Sequence, residues 1–190
     1  MKEMIEIRWH GRGGQGVVTA SKLLAESAMA NDQYFQAFPD YGPERMGAPI
    51  RAFTRLSPHP ITIHSQVHEP DIVVVLDPTL LGSVAVTDGL KQDGTLLVNT
   101  ALSPAQVRAT TGFDGGRVFT VDASHIALQE MGREITNTPM LGASARATGL
   151  FDIDVMAEEL RAWFGQKLSP EAVEANIRAM RRAAEEAQQG

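Results

Sequence analysis

The sequence feature that most constrains the fold is residues 5–16, IEIRWHGRGGQG. An apolar run leads into a loop rich in glycine, and a helical-looking stretch follows at once. Because glycine lacks Cβ, such a loop can adopt positive φ and can approach a ligand or a neighbouring helix closely. The first turn of the helix then presents unpaired N–H groups at the positive end of its dipole, which favours an anion.

Two interpretations of this loop follow from its residues. Gly11, Gly13 and Gly16 satisfy the spacing G-x-G-x-x-G of dinucleotide-binding folds. An NAD site also needs an acidic side chain at the end of the second strand, about 20 residues further on. Here the second apolar run, residues 34–38, ends in Pro39 with no carboxylate at its tip. The other interpretation is that the glycines only allow the helix and the sheet to pack closely.

Apolar runs and helix signals alternate along the rest of the chain. Residues 50–56 and 61–65 alternate apolar and polar side chains, which predicts two half-buried strands joined by a turn. Residues 71–77, 95–100 and 117–123 are mostly apolar, which is typical of strands that are covered on both faces. Helix or turn starts are predicted at Asp77-Pro78, Ser103-Pro104, Thr138-Pro139, Asp152 and Ser169-Pro170.

This alternation predicts an α/β protein with a Rossmann-like, mostly parallel sheet flanked by helices and a helical C-terminal region over about residues 138–186. With 190 residues and 43% apolar content, the chain is expected to form a single domain over residues 1–190.

Residues 39–49, PDYGPERMGAP, combine three prolines and two glycines with large polar side chains. The prolines and glycines exclude regular structure. Two interpretations stay open: a surface turn with solvated charges, or a rigid loop that contacts a ligand or a partner. The candidate contact residues are Tyr41, Glu44, Arg45 and Met46.

The composition excludes several classes of function. A net charge of -6 and the lack of any basic cluster argue against nucleic-acid binding. With no cysteine, the chain cannot form disulfides, ligate an iron–sulfur cluster through thiolates or use a cysteine nucleophile. No apolar run approaches the roughly 20 residues that span a bilayer, so we expect a cytoplasmic protein without a membrane partner.

Local catalytic signals are absent from the sequence. The five histidines do not fall in a metal-binding spacing, and no nucleophile motif is present, so neither a metal site nor a catalytic residue is predicted. His10 stands just before the glycine loop. It either meets a ligand or, as is commoner for such a histidine, is hydrogen-bonded by the backbone.

Four sequence blocks together resemble one known family. They are WHGRGGQG, FPDYGPERMGAPIRAFTRLS, PDIVVVLDPTLL and NTPMLGASARATGL. The chain resembles, over about residues 5–164, the gamma subunit of the 2-oxoacid:ferredoxin oxidoreductases, of which pyruvate:ferredoxin oxidoreductase is the best known. The form GPERMGAP is more similar to the pyruvate and branched or aryl 2-oxoacid enzymes than to the 2-oxoglutarate enzymes.

This resemblance implies a function in a complex. Such enzymes oxidatively decarboxylate a 2-oxoacid to an acyl-CoA with thiamine diphosphate, Mg²⁺ and [4Fe–4S] clusters, and pass electrons to ferredoxin or another acceptor. The chain would be a subunit without clusters, binding none of these cofactors alone and assembling with alpha, beta and ferredoxin-like delta subunits.

For individual residues, the hypothesis is that a loop of Arg12, Gly13, Gly14, Gln15 and Gly16 receives an anionic part of the co-substrate coenzyme A. Tyr41, Glu44, Arg45 and Met46 would form the subunit-contact loop. The alternatives are a stand-alone NAD-dependent dehydrogenase and a purely structural scaffold subunit.

Overall fold

A computed structural model describes residues 4–28, 33–40 and 46–190. In these ranges the strands are β1 Ile5–Arg12, β2 Tyr34–Pro39, β3 Pro49–Ser57, β4 Ile72–Val75, β5 Thr95–Asn99, β6 Arg117–Val121 and β7 Gln188–Gln189. The helices are α1 Val17–Ser27, α2 Pro104–Thr111, α3 Ala123–Met131, α4 Asn137–Thr148, α5 Ile153–Phe164 and α6 Pro170–Glu186, with a 3₁₀ helix at Pro78–Gly82. No helix of this described part is long and apolar enough to cross a membrane.

The strands form one mixed sheet in the order β2-β3-β1-β4-β5-β6-β7. Strands β1, β4, β5 and β6 pair in parallel, which confirms the predicted parallel core. Strand β3 lies antiparallel between β1 and β2, and the short β7 pairs antiparallel with β6. The parallel strands require crossover connections, which the alternating helices supply.

Each face of the parallel core is covered by helices. Alternate side chains such as Ile7 and Trp9 pack on one face with α1, α4, α5 and α6. Val73 and Val75 point to the other face and pack against the 3₁₀ helix and α2. Strand β4 is therefore buried on both sides, as its uninterrupted apolar run predicts.

Capping side chains begin most of the predicted helices. Asp77, Ser103, Asp152 and Ser169 each accept a hydrogen bond from a backbone N–H of the following turn. The start predicted at Thr138 is displaced, because α4 begins at Asn137 and the Thr138 hydroxyl instead donates to Asn176 Oδ1 at 3.0 Å. Helix α3 and strand β7 are additions that the sequence patterns did not predict.

The strand predicted at residues 61–65 is wrong, because this segment is irregular. Its main-chain carbonyl oxygens accept hydrogen bonds from a buried arginine rather than from a neighbouring strand. Arg55, 1% exposed, donates to the carbonyl oxygens of Ile63 and Ser65 at 3.3 and 2.8 Å and to Glu6 Oε1 at 2.8 Å. A guanidinium group with five donors can hold an extended segment in place without a strand ladder.

Helices α4 and α6 pack in close contact at a glycine. A Cβ on Gly142 would lie 1.8 Å from the carbonyl oxygen of Met180. The two backbones therefore meet at a distance that only glycine allows.

Candidate functional site

The glycine loop lies where β1 ends and α1 begins, at the carboxyl edge of the parallel strands. Its turn is closed by a hydrogen bond from Gln15 N to Arg12 O at 3.1 Å. Gly14 and Gly16 adopt φ values of 95° and 74°, which L side chains disfavour. A Cβ on Gly11 would lie 2.4 Å from Val17 Cγ2, so this glycine serves close packing of strand and helix.

Asp77, which follows β4, contacts two side chains of the glycine loop. Gln15 Nε2 donates to Asp77 Oδ2 at 2.7 Å, and Arg12 Nε lies 3.3 Å from the same oxygen. Burial alone raises the pKa of this carboxyl, but hydrogen bonds from Thr79 and Gln15 and the charge of Arg12 outweigh it and lower the pKa. The loop is thus fixed to the neighbouring parallel strand by an ionised carboxylate.

The side chains of the two polar loop residues are largely committed to this scaffold. Arg12 donates through Nη2 to Thr79 Oγ1 at 2.8 Å and through Nη1 to Gly47 O at 3.1 Å. Gln15 Oε1 accepts from Arg12 N at 2.7 Å while its Nε2 is bonded to Asp77. What the loop presents to a ligand is therefore chiefly its backbone, with the partly exposed Arg12 guanidinium beside it.

A second loop, residues 46–48, is tied to the first. Gly13 N donates to Ala48 O at 2.9 Å, and Gly47 N donates to Gly13 O at 3.1 Å. Met46 extends into solvent with 93% of its surface exposed. Of the predicted contact loop, Met46 is described, whereas Tyr41, Glu44 and Arg45 lie outside the described residues.

A hollow of about 510 Å³ opens over the start of α1, and we call it the loop hollow. It is lined by Gly13, Gly14, Gly16, Val17, Val18, Thr19, Met46 and Ile50. The N-cap of α1 is Gly16, and no side chain caps the helix. The first-turn N–H groups, which have no partner inside the helix, therefore face a space that suits an anion.

The strand beside β1 is not the one that an NAD site requires. In dinucleotide-binding folds a parallel neighbouring strand delivers an acidic residue to the ribose. Here β4 is the parallel neighbour on one side of β1, and the position on the other side is taken by the antiparallel β3, with Pro49 opposite Arg12. The predicted β2 lies one position further out, at the edge of the sheet. The strand order therefore agrees with the sequence, which has no carboxylate at the tip of the second strand.

A third feature is a cavity of about 540 Å³ on the face of β1 and β3 away from α1. Arg8 and His10 line it and are only 4% and 3% exposed. His10 Nε2 accepts from Arg8 Nε at 3.0 Å, so a side chain rather than the backbone satisfies this histidine. Burial, reinforced by the charges of Arg8 and Arg51, lowers the pKa of His10 to about 3.

No catalytic constellation is evident in the described ranges, and within them no group of three His, Cys, Asp or Glu residues could hold a metal ion. The structure brings together the predicted residues Arg12 to Gly16 in one loop. It also reveals Asp77, Thr79 and Asn137 as neighbours of that loop. For Asp77 the sequence signal was present, because Asp77-Pro78 was identified as a helix start, but its second role depends on the pairing of β1 with β4.

Comparison with known proteins gives consistent matches. Residues 6–186 match the family pyruvate ferredoxin/flavodoxin oxidoreductase. The chain is 51% identical over 185 residues to the pyruvate synthase subunit PorC of Thermotoga maritima, covering 97% of this chain and 95% of that protein. It is 50% identical over 182 residues to the pyruvate/ketoisovalerate oxidoreductases common subunit gamma of Pyrococcus furiosus, covering 96% of both.

Solved structures agree with these sequence matches. The crystal structure of the pyruvate oxidoreductase subunit PORC from Thermotoga maritima has a TM-score of 0.88 and 47% identity, and the match covers 100% of this chain and 99% of that one. A 2-oxoglutarate:ferredoxin oxidoreductase from Magnetococcus marinus has a TM-score of 0.75 at 18% identity, covering 97% of this chain and 32% of that chain. This second match shows a shared fold alone.

Proposed function

Since this chain belongs to the pyruvate ferredoxin/flavodoxin oxidoreductase family, we propose that it completes a cytoplasmic oxidoreductase complex and holds coenzyme A at its glycine loop. It is a gamma subunit of a pyruvate or 2-oxoacid:ferredoxin oxidoreductase, an enzyme that acts on an oxo group with an iron–sulfur protein as acceptor. The substrate we propose is pyruvate or a related branched or aryl 2-oxoacid. The assignment to this branch rests on relatives that are pyruvate and ketoisovalerate enzymes.

The redox chemistry is proposed to lie in companion subunits. Cysteine thiolates hold [4Fe–4S] clusters, and this chain has none. Thiamine diphosphate with Mg²⁺ would supply the decarboxylation chemistry in the alpha and beta subunits, and a ferredoxin-like delta subunit would pass electrons to ferredoxin. The gamma chain then contributes shape and charge to the assembly rather than a reacting group.

The observation that carries the coenzyme A proposal is the uncapped start of α1 beneath an open hollow. The backbone N–H groups of Gly14 and of the first helical turn suit a phosphate group, and Arg12 of the same loop carries a positive charge. Coenzyme A is the co-substrate of this reaction that carries phosphates. If the chain were a purely structural subunit, this hollow would bind no ligand.

The contact-loop proposal rests on Met46. Met46, at 93%, is the most exposed large apolar side chain of the described residues, and flexible thioether side chains are common at binding surfaces. We propose that Met46, with Tyr41, Glu44 and Arg45 of the same segment, contacts the alpha and beta subunits. An Arg45→Glu variant is expected to weaken copurification of the complex. A Met46→Glu variant, compared with Met46→Leu as its apolar control, tests the described end of the segment.

The coenzyme A role is tested in the intact complex by two variants at Gly14 that match in size and differ in charge. A Cβ at Gly14 would meet nothing within 4 Å, so both Gly14→Asp and Gly14→Asn fit sterically and share the same backbone strain at φ 95°. The negative charge of aspartate should repel the phosphate and raise the KM for coenzyme A about 10-fold above that of the asparagine variant. The KM for the 2-oxoacid should be equal in the two variants.

The scaffold hypothesis makes the opposite prediction for this pair. If Gly14→Asp and Gly14→Asn give the same KM for coenzyme A while the complex assembles normally, the loop serves packing only.

A further inference from the structure

The cavity of about 540 Å³ on the face of β1 and β3 away from α1 has a buried cation in its wall, and we call it the Arg8 cavity. Arg8 is 4% exposed. Its guanidinium donates through Nε to His10 Nε2 at 3.0 Å and through Nη2 to the carbonyl oxygens of Val86, at 3.1 Å, and of Asp88. All three acceptors are uncharged, because the pKa of His10 is about 3. These hydrogen bonds therefore orient Arg8 without neutralising its charge.

Arg8 differs in this respect from the other buried charged side chains. Each of those lies within 3.3 Å of an opposite charge: Arg55 with Glu6, Asp71 with Lys91 and Asp77 with Arg12. Among the residues that the structure describes, no carboxylate forms an ion pair with Arg8. Burial and the charge of Arg51 lower the pKa of Arg8, whereas the longer-range charge of Asp88 opposes them. A guanidinium stays protonated in proteins and a buried charge is normally paired, so Arg8 indicates an anionic partner at this cavity.

The other charges of the wall favour a partner with a single negative charge. Arg51 is already matched, since its Nη2 and Nε lie 2.5 and 2.8 Å from Asp40 Oδ2. One unmatched guanidinium suits a carboxylate, which is planar and carries one negative charge, better than a phosphate with nearly two. The rest of the wall is apolar and consists of Ala48, Pro49, Ile50, Val84 and Ala85. An aspartate or glutamate within an apolar protein surface combines both properties.

The Arg8 cavity adjoins the segment that we propose as a subunit contact. Ala48 lines the cavity, and its carbonyl oxygen accepts from Gly13 N at 2.9 Å. Met46, which is 93% exposed, lies two residues earlier, at most about 7 Å away along the chain. A protein surface that covers Met46 therefore lies beside the cavity and can place a side chain in it.

We propose that the Arg8 cavity is a docking site for an aspartate or glutamate side chain of a companion subunit, whose carboxylate pairs with Arg8 while neighbouring apolar atoms pack against Ile50 and Val84. The inference rests on the proposed function, since it requires the chain to assemble in the oxidoreductase complex. The carboxylate of a subunit neutralises Arg8 for as long as the complex persists, whereas a free carboxylate does so only while it is bound.

A crosslink in the intact complex tests the charge pair. Arg8→Lys keeps the positive charge and introduces a primary amine, which a carbodiimide joins as an amide to a carboxylate in contact with it. Mass spectrometry of the digested complex should find position 8 joined to an aspartate or glutamate of another subunit. The control is Arg51→Lys, whose amine should be joined to Asp40 of its own chain.

Ala85→Phe tests the same cavity without changing Arg8. Ala85 is an exposed residue of the wall, so a larger side chain there obstructs the cavity and leaves the core intact. The dissociation constant of the gamma chain from the complex should rise at least about 10-fold, since the loss of one buried charge pair at an interface costs that factor or more. The control is Ala109→Phe on α2, an exposed position that does not line the cavity, which should change this constant less than about twofold.

Products that join position 8 only to Asp40 or Asp88 of the same chain would overturn the inference. So would the lack of any product at position 8, the result expected if the occupant were a free carboxylate, or normal assembly of Ala85→Phe. An Arg8→Lys chain that fails to assemble leaves the decision to Ala85→Phe. Each contrary result leaves the proposed function standing as long as the gamma chain copurifies with its complex and Gly14→Asp and Gly14→Asn still differ in the KM for coenzyme A.

Discussion

Gly16 and Asn137 touch where the glycine loop meets the start of α4, 121 positions apart in the numbering of the chain and without space for a methyl group between them. The close approach joins the glycine loop to the helical C-terminal region. Gly14 and Gly16 differ in why they must be glycine. Both have positive φ, but Gly14 has open space around it, whereas Gly16 also lacks room for a Cβ.

The first prediction compares alanine at these two glycines. Gly14→Ala should lose about 1 kcal/mol of unfolding free energy through backbone strain alone. Gly16→Ala adds a Cβ 2.7 Å from Asn137 Nδ2 and should lose about 1–3 kcal/mol more. Urea denaturation of the purified chain measures both. Equal losses would mean that the Asn137 contact yields without cost.

The second prediction concerns the contact of α4 with α6. Gly142→Ala places a Cβ 1.8 Å from Met180 O, a backbone atom, so the helices must separate. We expect a loss of at least about 3 kcal/mol, seen as a lower midpoint in urea denaturation. The control is Gly82→Ala, where a Cβ meets nothing within 4 Å and stability should change by less than about 0.5 kcal/mol. A Gly142→Ala protein as stable as this control would contradict the contact.

The third prediction is a pH dependence from His10. Its pKa is about 3 in the folded protein and 6.5 as the ordinary value, so the unfolded chain takes up the proton first as pH falls. Stability from this residue is therefore constant above pH 6.5 and decreases by about 1.4 kcal/mol per pH unit between 6.5 and 3.

The His10→Gln variant isolates this contribution, because glutamine can still accept from Arg8 but does not titrate. Urea denaturation at pH 7 and pH 5 should show a steeper loss in the unmodified protein than in the variant. Parallel curves would mean that His10 titrates normally.

The fourth prediction concerns Arg55. Arg55→Met removes the partner of Glu6 and the donor to the carbonyl groups of Ile63, Ser65 and Gln66. We expect a stability loss of about 3 kcal/mol and faster proteolysis between residues 58 and 70. The control is Arg178→Met, which removes an exposed pair with Glu130 and should cost less than about 1 kcal/mol. Unchanged protease resistance of Arg55→Met would be the contrary result.

Local signals in the sequence predicted much of this fold. Asp77-Pro78, Ser103-Pro104 and Ser169-Pro170 each start a helical segment, because a capping oxygen and a fixed proline φ act within one turn. The continuous apolar run of β4 correctly indicated a strand buried on both faces.

These local signals did not predict how strands that are distant in the chain pair with each other. The position of β3 between β1 and β2 depends on hydrogen bonds between residues some 40 positions apart, such as Trp9 opposite Ala52. The period-two pattern at residues 61–65 was misleading, because Arg55 from another segment takes the carbonyl groups that a strand would use.

Of the candidate functional residues, some could be predicted from local sequence and others could not. The glycines of the loop were visible because their spacing and context carry a conformational meaning. Asn137 could not be identified, since its contact with Gly16 exists only in the folded chain. The contact loop at Tyr41, Glu44 and Arg45 remains a prediction.

The two main-chain hydrogen bonds that join Gly13 to Gly47 and Ala48 have a thermodynamic consequence. They fix the glycine loop and residues 46–48 to each other. If a companion subunit grips that segment while a phosphate occupies the turn, each event changes the free energy of the other by the same amount. If the subunit contact favours the phosphate-binding form of the loop, saturating coenzyme A tightens the quaternary assembly, and dissociated gamma chains bind coenzyme A more weakly than the complex does.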